Sequence, residues 1–141
     1  MRTDSRLSRM LHVLLHMARD QQPKTSQQIA TMLSTNAAVV RRTMGGLRRA
    51  GYVQSEKGHG GGWRIACDLN QVSLYDIYQA VGTEKIFTIG FDHSHPDCLV
   101  ERVVNDAIGD ALSDAERRLI KRLQSVSLGD LAQQFSRRYP T

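Results

Sequence analysis

The chain has 141 residues, of which 40% are hydrophobic, and a net charge of +5. This is the length of one ordinary domain, too short for an enzyme domain joined to a separate reader. No apolar run reaches the roughly 20 residues of a membrane span, and the N-terminus lacks the apolar stretch of a signal peptide. Two cysteines are too few for a disulfide framework. We therefore expect a cytoplasmic protein with reduced thiols that binds no membrane.

The charge is distributed unevenly along the chain. Residues 1–66 contain eleven Lys or Arg and three acids, which gives +8, whereas residues 67–141 contain eight and eleven, which gives −3. A basic part joined to a mildly acidic part favours a polyanion-binding module with a second unit attached. Basic surfaces also keep proteins soluble, so the charge alone does not identify a binding partner.

Three helices are predicted in the basic part. Apolar residues spaced three or four apart predict the first over Arg6–Ala18, and the second begins at Thr25 or Ser26 and ends at Leu33. The third, over Ala37–Ala50, has Val40, Met44 and Leu47 on one face and Gly51 as its C-cap. Its four cations lie on the other faces of the helix: Arg41, Arg42, Arg48 and Arg49.

A hairpin follows the third helix. Tyr52–Ser55 and Trp63–Ala66 have strand character, and the glycine-rich segment 58–62 predicts the turn between them. Trp63 is interpreted as a core residue that anchors the hairpin. Three helices and a hairpin predict a winged helix-turn-helix within residues 1–66, in an α+β fold that is mostly helical.

Residues 67–141 are predicted to form a linking segment and a helix that pairs two chains. Residues 67–97 contain a helix that begins at Ser73 and a loop that ends at Pro96, and residues 98–141 contain a long helix to about Ser125 and a short one after Ser127. The long helix would span about 40 Å, although a capping-box pattern at Ser113–Glu116 allows a break. Its apolar stripe is too long for one small domain to bury, so we expect it to join a homodimer.

The third helix supplies the candidates for reading DNA. Arginine makes two hydrogen bonds to guanine in the major groove, and the N-terminal part of a recognition helix reaches deepest. Arg41 and Arg42 are therefore assigned to base edges, and Arg48 and Arg49 to phosphates. In the wing, Lys57, His59 and Arg64 suit a minor groove or a phosphate, although His59 alone is also an ordinary turn residue. The remaining candidates are Ser26, Asn36 and Val39.

Three segments resemble the Rrf2 family of bacterial winged-helix regulators: Asn36–Arg42, Leu47–Val53 and Lys57–Arg64. The similarity continues through Val72–Val81 and Ser127–Leu131, so it covers nearly the whole chain. The resemblance implies a homodimer, joined by the long helix, that binds a palindromic double-stranded DNA operator, usually as a repressor. It further implies that Arg41 and Arg42 read bases and that Lys57 is the minor-groove cation.

The chain departs from the family at the loop before the long helix. Family members that hold an iron-sulfur cluster usually have three cysteines there, as the resemblance implies, whereas this chain has only Cys98. We therefore expect no cofactor, although His93, His95, Asp97 and Cys98 offer ligand types for zinc or iron. Cys98 is the candidate sensor of oxidants, with an unreactive thiol as the alternative. The effector stays unknown, and Cys67 is expected to be inert.

Two rival functions make different demands on the sequence. A winged helix can also bind protein or RNA, which would show no preference for duplex DNA. An enzyme using Cys98 as nucleophile and His93 or His95 as base would need an oxyanion hole and an orienting acid, and no pattern in the sequence indicates either. We therefore predict a transcription regulator and not an enzyme.

Overall fold

The computed structural model describes residues 4–58, 62–82 and 86–140. Within them the chain forms six α-helices and one antiparallel pair of strands, so the α+β, mostly helical winged-helix fold is confirmed. The elements in chain order are α1 (Arg6–Asp20), α2 (Ser26–Leu33), α3 (Ala37–Arg49), β1 (Val53–Glu56), β2 (Gly62–Ile65), a 3-10 turn (Leu69–Gln71), α4 (Leu74–Ala80), α5 (Leu99–Gln124) and α6 (Leu128–Arg138). In this described part no helix is long and apolar enough to cross a membrane.

Polar side chains fix where the short helices begin. Thr25, rather than Ser26, caps α2: its hydroxyl accepts a hydrogen bond from the Gln28 amide at 3.1 Å, and the Gln28 side chain accepts one from the Thr25 amide at 2.8 Å. Ser73 and Ser127 form the same reciprocal capping box at the starts of α4 and α6. Each box satisfies amides that have no partner within the helix, so the starts predicted from sequence are set by local chemistry.

One apolar core joins both parts of the chain. One buried cluster contains Val13 and Leu14 of α1, the buried face of α3, Ile77 of α4 and Leu128 of α6. All four are at most 1% exposed. The division at residue 66 stays a prediction, but the core itself continues through α4 to the start of α6.

Helices α3 and α4 meet at a glycine. A β-carbon on Gly46 would lie 2.5 Å from the Ala80 carbonyl oxygen, so only glycine permits this approach. A β-carbon on Gly45 would lie 3.6 Å from the Arg49 side chain, an ordinary contact. The close approach of the two main chains therefore requires glycine at position 46 and not at position 45.

Helix α5 is continuous over its 26 residues, about 39 Å long. It has no break at Ser113–Glu116, so the single-helix interpretation is confirmed. None of its residues is buried, and Leu99, Val100 and Val103 are 70%, 71% and 68% exposed. The loop before it has neither helix nor strand in its described residues 86–98. Helix α5 therefore presents an apolar surface that the chain itself leaves uncovered.

Replacing Gly46 with alanine is expected to lower the free energy of unfolding by about 1–3 kcal/mol, because the added methyl group would push the Ala80 carbonyl away. The matched control is Gly45→Ala, which should gain up to about 1 kcal/mol from helix propensity. Urea unfolding followed by circular dichroism measures both. Equal effects of the two substitutions would contradict the close contact between α3 and α4.

Candidate DNA-binding surface

The turn before α3 holds the helix in place. The Asn36 side-chain oxygen accepts a hydrogen bond from the Val39 amide at 3.0 Å, which caps α3. On the other side, the Arg9 guanidinium donates to the Leu33 carbonyl at 2.7 Å and ties the end of α2 to α1. Asn36 thus caps the helix, and the side chain of Val39 is exposed at its start. The DNA contacts expected of both residues stay predictions.

The four arginines of α3 form two columns. Residues seven apart on a helix point in nearly the same direction, since each residue turns it by about 100°. Arg41 and Arg48 therefore share one edge of α3, and Arg42 and Arg49 share the next. All four are exposed, while Val40, Met44 and Leu47 behind them are at most 1% exposed.

Arg41 and Arg48 face a cleft between α3 and the wing. The cleft encloses about 490 Å³ and is also lined by Thr25 and Ser26 at the start of α2. The Arg48 guanidinium donates to the Ser55 hydroxyl of β1 at 3.3 Å. The structure thus brings Ser26, Arg41 and Arg48 together beside the wing. Arg42 is not among the residues that line the cleft.

The wing is attached to the chain segment between α1 and α2. The main chains of Lys24 and Trp63 exchange two hydrogen bonds of 2.8 and 3.1 Å, and the Trp63 indole donates to the Ser26 hydroxyl at 2.9 Å. A β-carbon on Gly62 would lie 2.7 Å from the Lys24 carbonyl oxygen, and Gly62 has a φ of +142°. Trp63 is 7% exposed, so its predicted role as the anchor of the wing agrees with its burial.

The cations of the wing differ in whether an acidic side chain offsets their charge. The Arg64 guanidinium donates to the Glu56 carboxylate at 3.1 and 3.4 Å, so part of its charge is offset across the two strands. Lys57 is exposed directly after β1, and within the described parts of the wing it makes no such pair. His59 lies outside the described residues. Among the described residues Lys57 is thus the wing cation best able to meet a phosphate or a groove.

Three contacts at this surface were not predicted from the sequence: Arg9 with the Leu33 carbonyl, Lys24 with Trp63, and Glu56 with Arg64. The first two join residues 24 and 39 positions apart, for which no local pattern exists. The third had a signal, because diagonal neighbours on adjacent strands with opposite charges tend to pair.

The loop before α5 is exposed and polar. The His95 amide donates to the Glu101 carboxylate at 2.9 Å, and the Cys98 amide donates to the His95 carbonyl at 2.9 Å. Cys98 is exposed at the start of α5, whereas burial raises the pKa of the Cys67 thiol. At neutral pH the raised pKa keeps the Cys67 thiol in its protonated form, which is the less reactive one.

Comparison with known proteins agrees with this geometry. The Rrf2 family model, described as iron-dependent transcriptional regulators, matches residues 3–134. The HTH-type transcriptional regulator YwnA of Bacillus subtilis (strain 168) is 30% identical over 129 residues, which cover 91% of this chain and 95% of YwnA. The chain belongs to the Rrf2 family.

Solved structures share the Rrf2-type fold. A transcriptional regulator from Lactobacillus plantarum superposes with a TM-score of 0.76 at 19% identity, covering 96% of this chain and 91% of its own. A DNA-binding protein superposes with a TM-score of 0.69 at 27% identity, covering 90% of this chain and 98% of its own. The first shows the fold alone, and the second adds a DNA-binding protein as a relative.

The family description raises the question whether this chain's residues fit iron. Iron-sulfur clusters are held by cysteine thiolates, and Cys67 is half-buried while Cys98 is the one cysteine of the loop. In residues 4–58, 62–82 and 86–140, no three His, Cys, Asp or Glu side chains are grouped as metal ligands. The ligand set in the described residues of a single chain therefore does not fit a cluster.

Proposed function

We propose that this Rrf2-family regulator is a cytoplasmic repressor that binds a palindromic DNA operator as a homodimer. The observation that carries the proposal is α3, which buries one face and exposes two columns of arginine beside an anchored wing. A cationic helix backed by a wing suits the major groove and the adjacent backbone of duplex DNA. A dimer on an operator represses most simply by excluding polymerase.

The proposed roles of the arginines follow their position along α3. Arg41 and Arg42 lie in the first two turns, so they would reach base edges from two adjacent sides of the helix. Arg48 lies further along and is already held by Ser55, which suits a phosphate contact. We assign Arg49, the next residue along α3, to a phosphate contact as well. Lys57 would enter the minor groove, where A·T-rich sequences concentrate negative potential.

Alanine at Arg41 or Arg42 is expected to cost about 1–3 kcal/mol on the operator and to relax preference at particular base pairs. Alanine at Arg48 or Arg49 should weaken binding to every duplex and lower the salt slope by about one for each phosphate that the variant no longer neutralises. The measurement is fluorescence anisotropy on the operator and on a scrambled duplex at several salt concentrations. The control is Arg137→Ala on α6. Equal losses on both duplexes for Arg41 and Arg42 would make them phosphate contacts.

The dimer proposal rests on α5. Val104 and Leu119 are 49% and 36% exposed, and with Val100 they lie on the apolar stripe predicted from sequence. Contiguous apolar surface of this kind marks an interface in a protein that stays soluble. We propose that residues 98–141 pair two chains, that residues 1–66 read DNA and that residues 67–97 link them.

Glutamate at Val104 or Leu119 is expected to dissociate the dimer, because two copies would bury unpaired carboxylates against each other. Both side chains are partly exposed in one chain, so the monomer should still fold. Light scattering measures the mass, and fluorescence anisotropy measures the operator affinity. Mass and affinity should fall together, because a single half-site binds poorly. Ser113→Glu, on the opposite face of α5, is the control. A monomeric wild-type protein at micromolar concentration would refute the proposal.

We further propose that the protein senses oxidants through Cys98 and holds no iron-sulfur cluster. Cys98 lies directly before α5, so a modification there adds bulk or charge where the loop meets the proposed pairing helix. A change in how two α5 helices meet would alter the spacing of the two readers.

Alkylation of Cys98 with N-ethylmaleimide is expected to lower operator affinity, as measured by anisotropy with mass spectrometry of the modified site. Cys98→Ser should abolish the response and Cys67→Ser should leave it intact. A Cys98→Ser protein that responds like wild type would remove this residue as the sensor. Absorbance near 400 nm, roughly where iron-sulfur centres absorb, in anaerobically purified protein would contradict the absence of a cluster.

A further inference from the structure

A second cavity lies between α1 and α6, away from α3. It encloses about 790 Å³, within the range of small-molecule sites. Leu15, Leu69, Ala132 and Phe135 supply much of its apolar wall. These residues come from α1, the 3-10 turn and α6, so the cavity is built from three separate elements.

Arg19 gives this cavity a cationic lining. His12, His16 and Arg19 of α1 line it, and no Asp or Glu does so among the residues described. The next residue, Asp20, carries a carboxylate, but it forms an ion pair with Lys24 at 2.8 Å. The hydrogen bond from Lys24 is also the main cause that lowers the pKa of Asp20. The cavity therefore offers the Arg19 guanidinium, and the acid that follows Arg19 in the sequence is already paired with Lys24.

The donors and the apolar wall are arranged for an aromatic anion. The Arg19 guanidinium lies 4.8 Å above the Phe135 ring, which holds the cation against an aromatic face. The Phe135 and Tyr139 rings lie 5.4 Å apart, and both are partly exposed. One to two turns earlier on α1, the Nε2 atoms of His12 and His16 approach to 3.1 Å.

We propose that this cavity binds a small aromatic carboxylate. The carboxylate would accept hydrogen bonds from Arg19, and the aromatic body would lie against Phe135 and Leu15. Carboxylate bound to a guanidinium is one of the stronger pairings available at a protein surface. The Arg19 guanidinium, with no Asp or Glu among the lining residues described, decides against a cationic ligand, and the apolar wall with its two rings decides against a small inorganic anion.

The cavity lies close to the attachment of the wing. Arg19 and Gln21 are at the end of α1, and the chain reaches Lys24 three residues later. Lys24 is the residue whose main chain pairs with Trp63 of β2. A ligand that fixes the end of α1 would therefore bias the position of the wing and, with it, DNA affinity.

The binding test uses the full-length protein and needs no DNA. The fluorescent anion 1-anilinonaphthalene-8-sulfonate is the probe, and 3-phenylpropionate and its neutral amide are the competitors. We expect the acid to displace the probe and the amide to be at least about tenfold weaker. Arg19→Met should weaken acid binding by about the same factor, and Phe135→Leu should weaken both competitors. Arg137→Met, on the opposite side of α6, should change nothing.

Equal competition by the acid and the amide, or equal behaviour of Arg19→Met and Arg137→Met, would overturn the site. The coupling has its own measurement, which is duplex affinity with and without saturating 3-phenylpropionate. A change of about fivefold or more is expected for wild type and none for Arg19→Met. Binding of the acid without any change in duplex affinity would overturn the link to the wing. A protein that binds the acid but no duplex would instead contradict the proposed function.

Discussion

The burial of one face of α3 is the constraint on which the candidate DNA surface depends. Val40, Met44 and Leu47 are inaccessible to solvent or nearly so, and they belong to the common core, in which α3 contacts α2 and α4. Once that face is fixed, the periodicity of the helix leaves the arginines only the outward edges. Their spacing of seven residues then produces two parallel columns. A polar substitution on the buried face would disorient all four cations at once, whereas loss of one arginine leaves the others in place.

Two glycines let main chains approach where side chains would block them. Gly62 admits the Lys24 carbonyl beside the wing, and Gly46 admits the Ala80 carbonyl beside α3. The wing is therefore held by the segment between α1 and α2 as well as by its own hairpin. Hydrogen bonds between main chains do not depend on flexible side chains, so the distance between wing and α3 is well defined. This geometry keeps open the cleft between α3 and the wing.

Local patterns predicted most of the fold, because helix stripes, capping residues and glycine-rich turns act within a few positions. The start of α4 at Ser73 and the end of α3 before Gly51 are examples. Patterns of this kind did not show that Arg9 contacts the Leu33 carbonyl or that Leu99 and Val103 join the exposed apolar surface. The cavity between α1 and α6 was equally invisible, since residues more than a hundred positions apart form it.

The connection between α5 and α3 consists largely of main-chain contacts. At the end of α5, the Leu74 amide donates to the Val126 carbonyl and the Leu128 amide donates to the Val72 carbonyl, each at 2.9 Å. These bonds attach the end of α5 to the start of α4, and the end of α4 meets α3 at Gly46. A change in the position of α5 would thus displace α4, and α4 would displace the arginine columns of α3. Because this path runs through main-chain contacts, flexible side chains would absorb little of the displacement. The cavity at α1 reaches the wing by a separate route, through Lys24. A signal at α5 should therefore change the direction of α3, and a ligand at α1 should change the position of the wing.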